Sequence, residues 1–104
     1  MSDHYYVVIF TSLRTDGDQG YAEAAERMLT LVREQPGFLD VESARGEDGL
    51  GITVSYWNSE AAIQTWKQHP EHIAIRERGR STWYAHCRTR VCKVERDYAF
   101  QRQT

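Results

Sequence analysis

Four stretches rich in β-branched and aromatic residues are separated twice by helical stripes and once by a short turn, and few folds satisfy that order. His4 to Leu13 (HYYVVIFTSL) reads as a strand that is apolar on both parities, as a central strand covered on both faces would be. Arg14 to Gly20 is a turn cluster. Beyond it Tyr21, Ala24, Ala25, Met28, Leu29 and Val32 fall on one side of a helix, which Pro36-Gly37 stops. Phe38 to Arg45 is a second strand, and Gly46-Glu47-Asp48-Gly49 a hairpin-type connection. Leu50 to Trp57 is a third strand, with Ile52, Val54 and Tyr56 on one face and Thr53, Ser55 and Trp57 on the other. Asn58-Ser59 offers an N-cap to a helix that carries Ala62, Ile63 and Trp66 inward. Pro70 interrupts that helix and restarts a second piece to Arg78, ending near Gly79. Thr82 to Asp97 is one long β-like run. The order βαββαβ predicts an α+β fold, the ferredoxin-like split βαβ, with a four-stranded antiparallel sheet. With no repeat or linker, residues 1–104 are expected to form one domain with a polar tail from about residue 101.

A chain of 104 residues buries roughly two-thirds of its unfolded surface, enough for one core. A formal net charge of −2 argues against a general nucleic-acid or membrane-surface binder, which needs a basic excess. No run approaches the roughly 20 apolar residues that span a bilayer. The start, MSDHYYVVIF, has no positive n-region, which predicts a cytoplasmic protein. Cys87 and Cys92 lie five apart in one strand, so their side chains point to opposite faces and no disulfide is expected.

The last run is long, about 16 residues or roughly 50 Å at the usual rise. A sheet of shorter partners leaves part of it unpaired, a hazard that a second copy removes, so a homodimer is predicted.

The second half, YWNSEAAIQTWKQHPEHIAIRERGRSTWYAHCRTRVCKVERDYAF, resembles the antibiotic biosynthesis monooxygenase family. The likeness rests on Tyr56-Trp57 at the strand end, Ser59-Glu60-Ala61 opening the helix, and Trp66 followed by His69 and His72. It extends through Gly79-Arg80, Trp83-Tyr84 and Arg90-Val91 to Tyr98, with Pro36-Gly37-Phe38 earlier in the chain. The resemblance implies a dimeric α/β barrel with the two sheets face to face, and a pocket in each monomer between sheet and helices. It implies cofactor-independent oxygenation of polyphenols or quinols, or, in other members, haem degradation.

Oxygenation without a cofactor makes the substrate its own reductant, since a phenol donates electrons to O₂ far better once deprotonated. The site then needs a base, an aromatic-walled apolar pocket and a group that stabilises a developing oxyanion. The resemblance puts a functional Trp at Trp66, whose indole can stack on a flat substrate and donate its N–H; the alternative is a core Trp. His72 stands where an oxygenase relative carries a proton-handling Tyr, and its ordinary pKa near ~6.5 suits a base; the alternative is a His packing a short helix. Tyr56, Ile63, His69, His86 and Arg88 are the candidate substrate-binding residues. His86, Arg88 and Arg90 share parity with Tyr84. Their face either lines the pocket, with Arg88 clamping an anion, or faces an interface or solvent and pairs with Asp40 or Glu42. His69 and His72 lack a third ligand, so no metal site is expected, and the resemblance implies no cofactor.

The relatives also differ from this chain. Haem degraders carry a His where Arg76 stands and an Asn in the first strand, which HYYVVIFTSL lacks, so haem degradation is disfavoured. Oxygenase relatives carry an Asn one turn before the Trp, where this chain has Ala62. The expected function is therefore a cofactor-independent monooxygenase acting on a small aromatic, phenolic or quinol-like substrate. The alternatives are a non-enzymatic dimer that binds a small hydrophobic ligand and, behind it, a haem-binding or haem-degrading relative.

Overall fold

The structure is a computed structural model that describes residues 4–103. Four strands, β1 (Tyr5–Arg14), β2 (Phe38–Arg45), β3 (Leu50–Trp57) and β4 (Tyr84–Val94), form one sheet in the order β2-β3-β1-β4. Every neighbouring pair is antiparallel. Three helices, α1 (Tyr21–Val32), α2 (Glu60–Lys67) and α3 (Pro70–Arg78), complete the ferredoxin-like α+β fold. β1 is interior to the sheet, but the helices cover only one of its two faces, so the expected cover on both faces is corrected.

Local chemistry sets the helix ends. Asp18 accepts from the backbone N–H groups of Gly20 and Ala22 ahead of α1. Ser59 Oγ accepts from Ala62 N at 3.1 Å, as the Asn58-Ser59 signal predicts. Pro70 opens α3, where a missing N–H costs nothing.

The two sheet faces differ in kind. Tyr6 and Val8 of β1, Trp57 of β3 and Phe38 of β2 pack with Val32 of α1 and with Ala62, Ile63 and Trp66 of α2. Trp57 is fully buried. Strand alternation therefore puts Tyr5, Val7, Ile9, Thr11 and Leu13, together with Leu50, Ile52, Val54 and Tyr56, on the face turned away from the helices. Leu50 and Ile52 there are 47% and 45% exposed. The chain exposes 7638 Å², where a monomeric protein of its mass exposes roughly 6,000 Å².

The expected β-run from Thr82 to Asp97 is corrected at both ends. Gly79–Trp83 forms a π-helical turn instead, and it buries Trp83. The Trp83 carbonyl accepts from Thr15 N at 2.9 Å and Arg14 Nε at 3.1 Å, so this stretch is tied to the β1–α1 loop and the strand starts only at Tyr84. β4 stops at Val94 because its partner β1 stops at Tyr5. Ten of the eleven residues of β4 pair along β1, all but Ala85 at a register shift, so the predicted surplus of unpaired length does not exist. What stands uncovered is a sheet face. Cys87 pairs with Ser12 and Cys92 with Val7, on opposite faces as predicted, and both thiols are free.

Candidate active site

The break between α2 and α3 brings Trp66, His69 and His72 together. Gln68 ends α2, and Pro70 forces a new start. His69 caps α3, its Nδ1 accepting from Glu71 N at 3.1 Å. One turn on, the His72 imidazole lies flat on the Trp66 indole, with centroids 4.5 Å apart and planes 12° from parallel. The His69 ring sits 5.6 Å from the same indole, tilted by 51°.

His72 Nδ1 lies 3.1 Å from the Trp66 carbonyl oxygen. A carbonyl only accepts, so Nδ1 carries the proton, and in the neutral ring Nε2 is the nitrogen with a lone pair. Burial is the largest cause that pushes the His72 pKa below its ordinary value. The hydrogen bond to Trp66 opposes it, while the charges of Arg76 and His69 add to the lowering. The imidazole is therefore neutral at pH 7, with a basic nitrogen that has no hydrogen-bond partner among the described residues. Trp66 presents one indole face to His72, and its N–H makes no hydrogen bond to the described residues.

The remaining candidates separate. Ile63 is buried in the core against Val32 and Trp57. Where a hollow is expected between sheet and α2, these side chains pack, with Trp66 at their edge. A cleft of about 310 Å³ lies instead beside α2, lined by Pro36, Gly37, Asn58, Ser59, Ala61, Ala62 and Thr65, without Trp66 or His72. On the helix side, β4 carries Cys87, Thr89 and Val91. Val91, paired with Val8, is 47% exposed, so the helices leave this part of β4 open.

Tyr56, His86 and Arg88 lie on the opposite face of the sheet from Trp66 and His72. Tyr56 donates to Glu42 Oε1, and that bond pushes its phenol up to about 12. The expected pairing of the β4 charges with Asp40 or Glu42 inside one chain is corrected. β2 and β4 are opposite edges of the sheet, roughly 14 Å apart, too far for cross-strand pairs. Among the described residues no three His, Cys, Asp or Glu side chains group as a metal site.

A second polar constellation carries no motif in the sequence. Arg45 lies across Gly51 and donates to the buried Ser12, at 2.8 Å to Oγ and 3.2 Å to the carbonyl. Arg45 also donates to the Tyr21 hydroxyl at 3.3 Å, and the Arg14 guanidinium sits 3.7 Å over the Tyr21 ring. Burial and a bond with Tyr21 raise the pKa of Tyr84 beside it. The available signal was Gly51, since an isolated glycine in a strand marks close approach of another group. A Cβ there would stand 2.5 Å from the Arg45 guanidinium carbon.

Residues 4–78, which hold β1 through α3 and the whole Trp66–His72 arrangement, match the family described as antibiotic biosynthesis monooxygenase. The chain belongs to that family. A Bacillus subtilis relative, YqjZ, described as uncharacterized, is 55% identical over 100 residues, which span 96% of this chain and 88% of that one. Among solved structures, protein SO0527 from Shewanella oneidensis superposes with a TM-score of 0.78 at 10% identity, over 89% of this chain and 93% of that one. SnoaB from Streptomyces nogalater, a cofactor-independent oxygenase, gives 0.69 at 15% identity, over 99% and 97%. At such identities these two likenesses speak for the fold alone.

Proposed function

We propose that this protein is a cofactor-independent monooxygenase of a small phenolic or quinol-like aromatic, acting as a homodimer. The observation that carries the reading is the neutral His72 imidazole, stacked on Trp66 with Nδ1 tied to a carbonyl and Nε2 left as a base. A flat substrate lies against Trp66, whose indole N–H donates to a substrate oxygen. Nε2 takes the phenolic proton. The phenolate donates electrons to O₂, and a carbon–oxygen bond forms at the activated ring carbon, giving a peroxide anion. The His72 imidazolium returns its proton to that anion. The hydroperoxide then loses water together with the hydrogen on the same carbon, leaving a quinone. Phenol and O₂ thus become quinone and water, with electrons and protons balanced and the base regenerated.

The test is O₂ consumption by the pure protein given reduced quinols or polyphenols. His72→Ala is expected to lower kcat by about 10²-fold or more, the usual weight of a general base. Trp66→Phe is expected to raise KM. Uptake unaffected by either substitution overturns the assignment. Tight binding of the aromatic without uptake identifies a sequestering protein instead.

A further inference from the structure

Two guanidinium groups beside Tyr21 carry charge that the described residues do not balance. Arg14 and Arg45 both lie against this phenol, yet the one ion pair among the described residues is Arg27–Glu71. Their bonds go to neutral oxygens instead. Arg14 donates to the carbonyls of Trp83, Gly17 and Asp18. Arg45 donates to the Ser12 hydroxyl and carbonyl, the Gly49 carbonyl and the Tyr21 hydroxyl. Acids of the adjoining turns are engaged locally: Asp18 accepts from the N–H groups of Gly20 and Ala22, and Asp48 from that of Leu50.

The cluster is built into the fold. Arg45, Gly51 and Ser12 stand in one row across three strands. Gly51 leaves the guanidinium room to cross β3 and reach the buried Ser12. Two of its nitrogens are anchored there, which sets its plane beside Tyr21. The Arg14 guanidinium packs 3.7 Å over the Tyr21 ring, and the Trp83 and Tyr84 rings meet that ring edge-on at 5.8 and 5.9 Å. Arg14, Tyr21 and Tyr84 are half-buried and Arg45 is exposed, so solvent reaches the group.

Three donors are left over. Among the described residues no acceptor meets the Tyr21 hydroxyl proton, the Arg45 Nε proton or the Arg14 Nη1 protons. The bond with Tyr21 raises the pKa of Tyr84, as it does when Tyr84 is the donor, so the Tyr21 proton stays free. A carboxylate suits this set better than a phosphate. Its two oxygens accept from guanidinium and phenol donors together. A phosphate dianion is held best by backbone N–H groups, and those of Gly20 and Ala22 are taken by the Asp18 carboxylate, which repels a dianion more than a monoanion.

We propose that Tyr21, Arg45 and Arg14 form a binding site for the carboxylate of a small aromatic acid, separate from the Trp66–His72 arrangement. The occupant supplies the negative charge that the two guanidinium groups lack. Tyr84 and Phe10, half-buried and edge-to-face at 5.5 Å, adjoin the site and give an aromatic ring apolar surface beside its charge. Ser12 acts as a positioning residue for Arg45. The core under α2 uses Tyr6 and Val8, whereas this site uses Ser12 and Arg14, roughly 13 Å farther along β1. The inference therefore stands independently of the oxygenase reading.

The test titrates sodium benzoate and, separately, sodium phosphate into isotope-labelled protein at constant ionic strength and follows the backbone amide NMR shifts. Benzoate is expected to move the amides of residues 12–21, 45–51 and 84 with one saturating dissociation constant. Tyr21→Phe removes a hydroxyl and keeps the ring, and is expected to raise that constant about tenfold, the weight of a hydrogen bond to a charged group. Arg45→Gln is expected to raise it at least as much. Because Arg45 also holds Ser12, Tyr21→Phe decides the matter if Arg45→Gln does not fold. His72→Ala is expected to leave the constant unchanged, which separates this site from the one proposed for catalysis. Absence of saturation, shifts confined to residues 63–72, or a constant that Tyr21→Phe leaves unchanged overturns the site. Phosphate that saturates these residues where benzoate does not overturns the carboxylate assignment.

Discussion

His72 couples the site to pH. Its pKa is lowered in the folded chain, with burial the leading cause. The unfolded chain therefore binds a proton more readily than the folded one, and stability from this group is complete above about 6.5. It is lost as pH falls from there through the folded-state value. Melting curves should show the wild type losing more stability than His72→Gln between neutral and mildly acid pH. If His72 is the base, kcat/KM should rise through an apparent pKa below 6.5 and then stay flat. Gly37 is the other residue with a sharp consequence. Its φ is +85°, and a Cβ would stand 2.5 Å from Ala62 Cβ and 2.6 Å from Asn58 Oδ1. Gly37→Ala combines left-handed strain with overpacking and should cost about 2–4 kcal/mol in chemical denaturation.

At the scale of elements, α2 holds the site to the core through a short amphipathic face, Ile63 and Ala62 inward with Trp66 at the edge. Eight residues are too few for a helix to stand on its own propensity. Its Ser59 cap therefore matters, and Ser59→Ala should lower stability by about 1 kcal/mol, read as a shift in denaturation midpoint. The helices were legible because each carries its own punctuation: Pro36-Gly37 after α1, Asn58-Ser59 before α2, Pro70 at the head of α3. The π-helical turn at Gly79–Trp83 was not legible. Nothing local distinguishes Thr82-Trp83 from the start of a strand. The turn exists because Trp83 fills the space under Arg14 and Thr15, more than sixty residues earlier in the chain. Gly79 permits it by leaving room for the Tyr84 ring, which a Cβ would approach to 2.8 Å.

For the whole molecule, the decisive feature is a sheet with helices on one side only. No helix among the described residues is long and apolar enough to cross a membrane. A charge at the centre of the open face should block association, and Ile52→Asp is expected to run at monomer mass in light scattering while keeping the wild-type circular dichroism spectrum.

The sequence by itself determined the order of elements, the antiparallel sheet and the opposite facing of Cys87 and Cys92, because alternation, helical spacing and turn chemistry act over a few residues. It also set His72 six residues after Trp66, across the break made by Pro70. The tertiary structure alone decided that the imidazole stacks on that indole, that Ile63 belongs to the core, and that Tyr56, His86 and Arg88 stand on the far side of the sheet. Which face of a strand the helices cover depends on pairing between segments distant in the chain. A period-two pattern labels two faces but does not say which one the rest of the protein will choose.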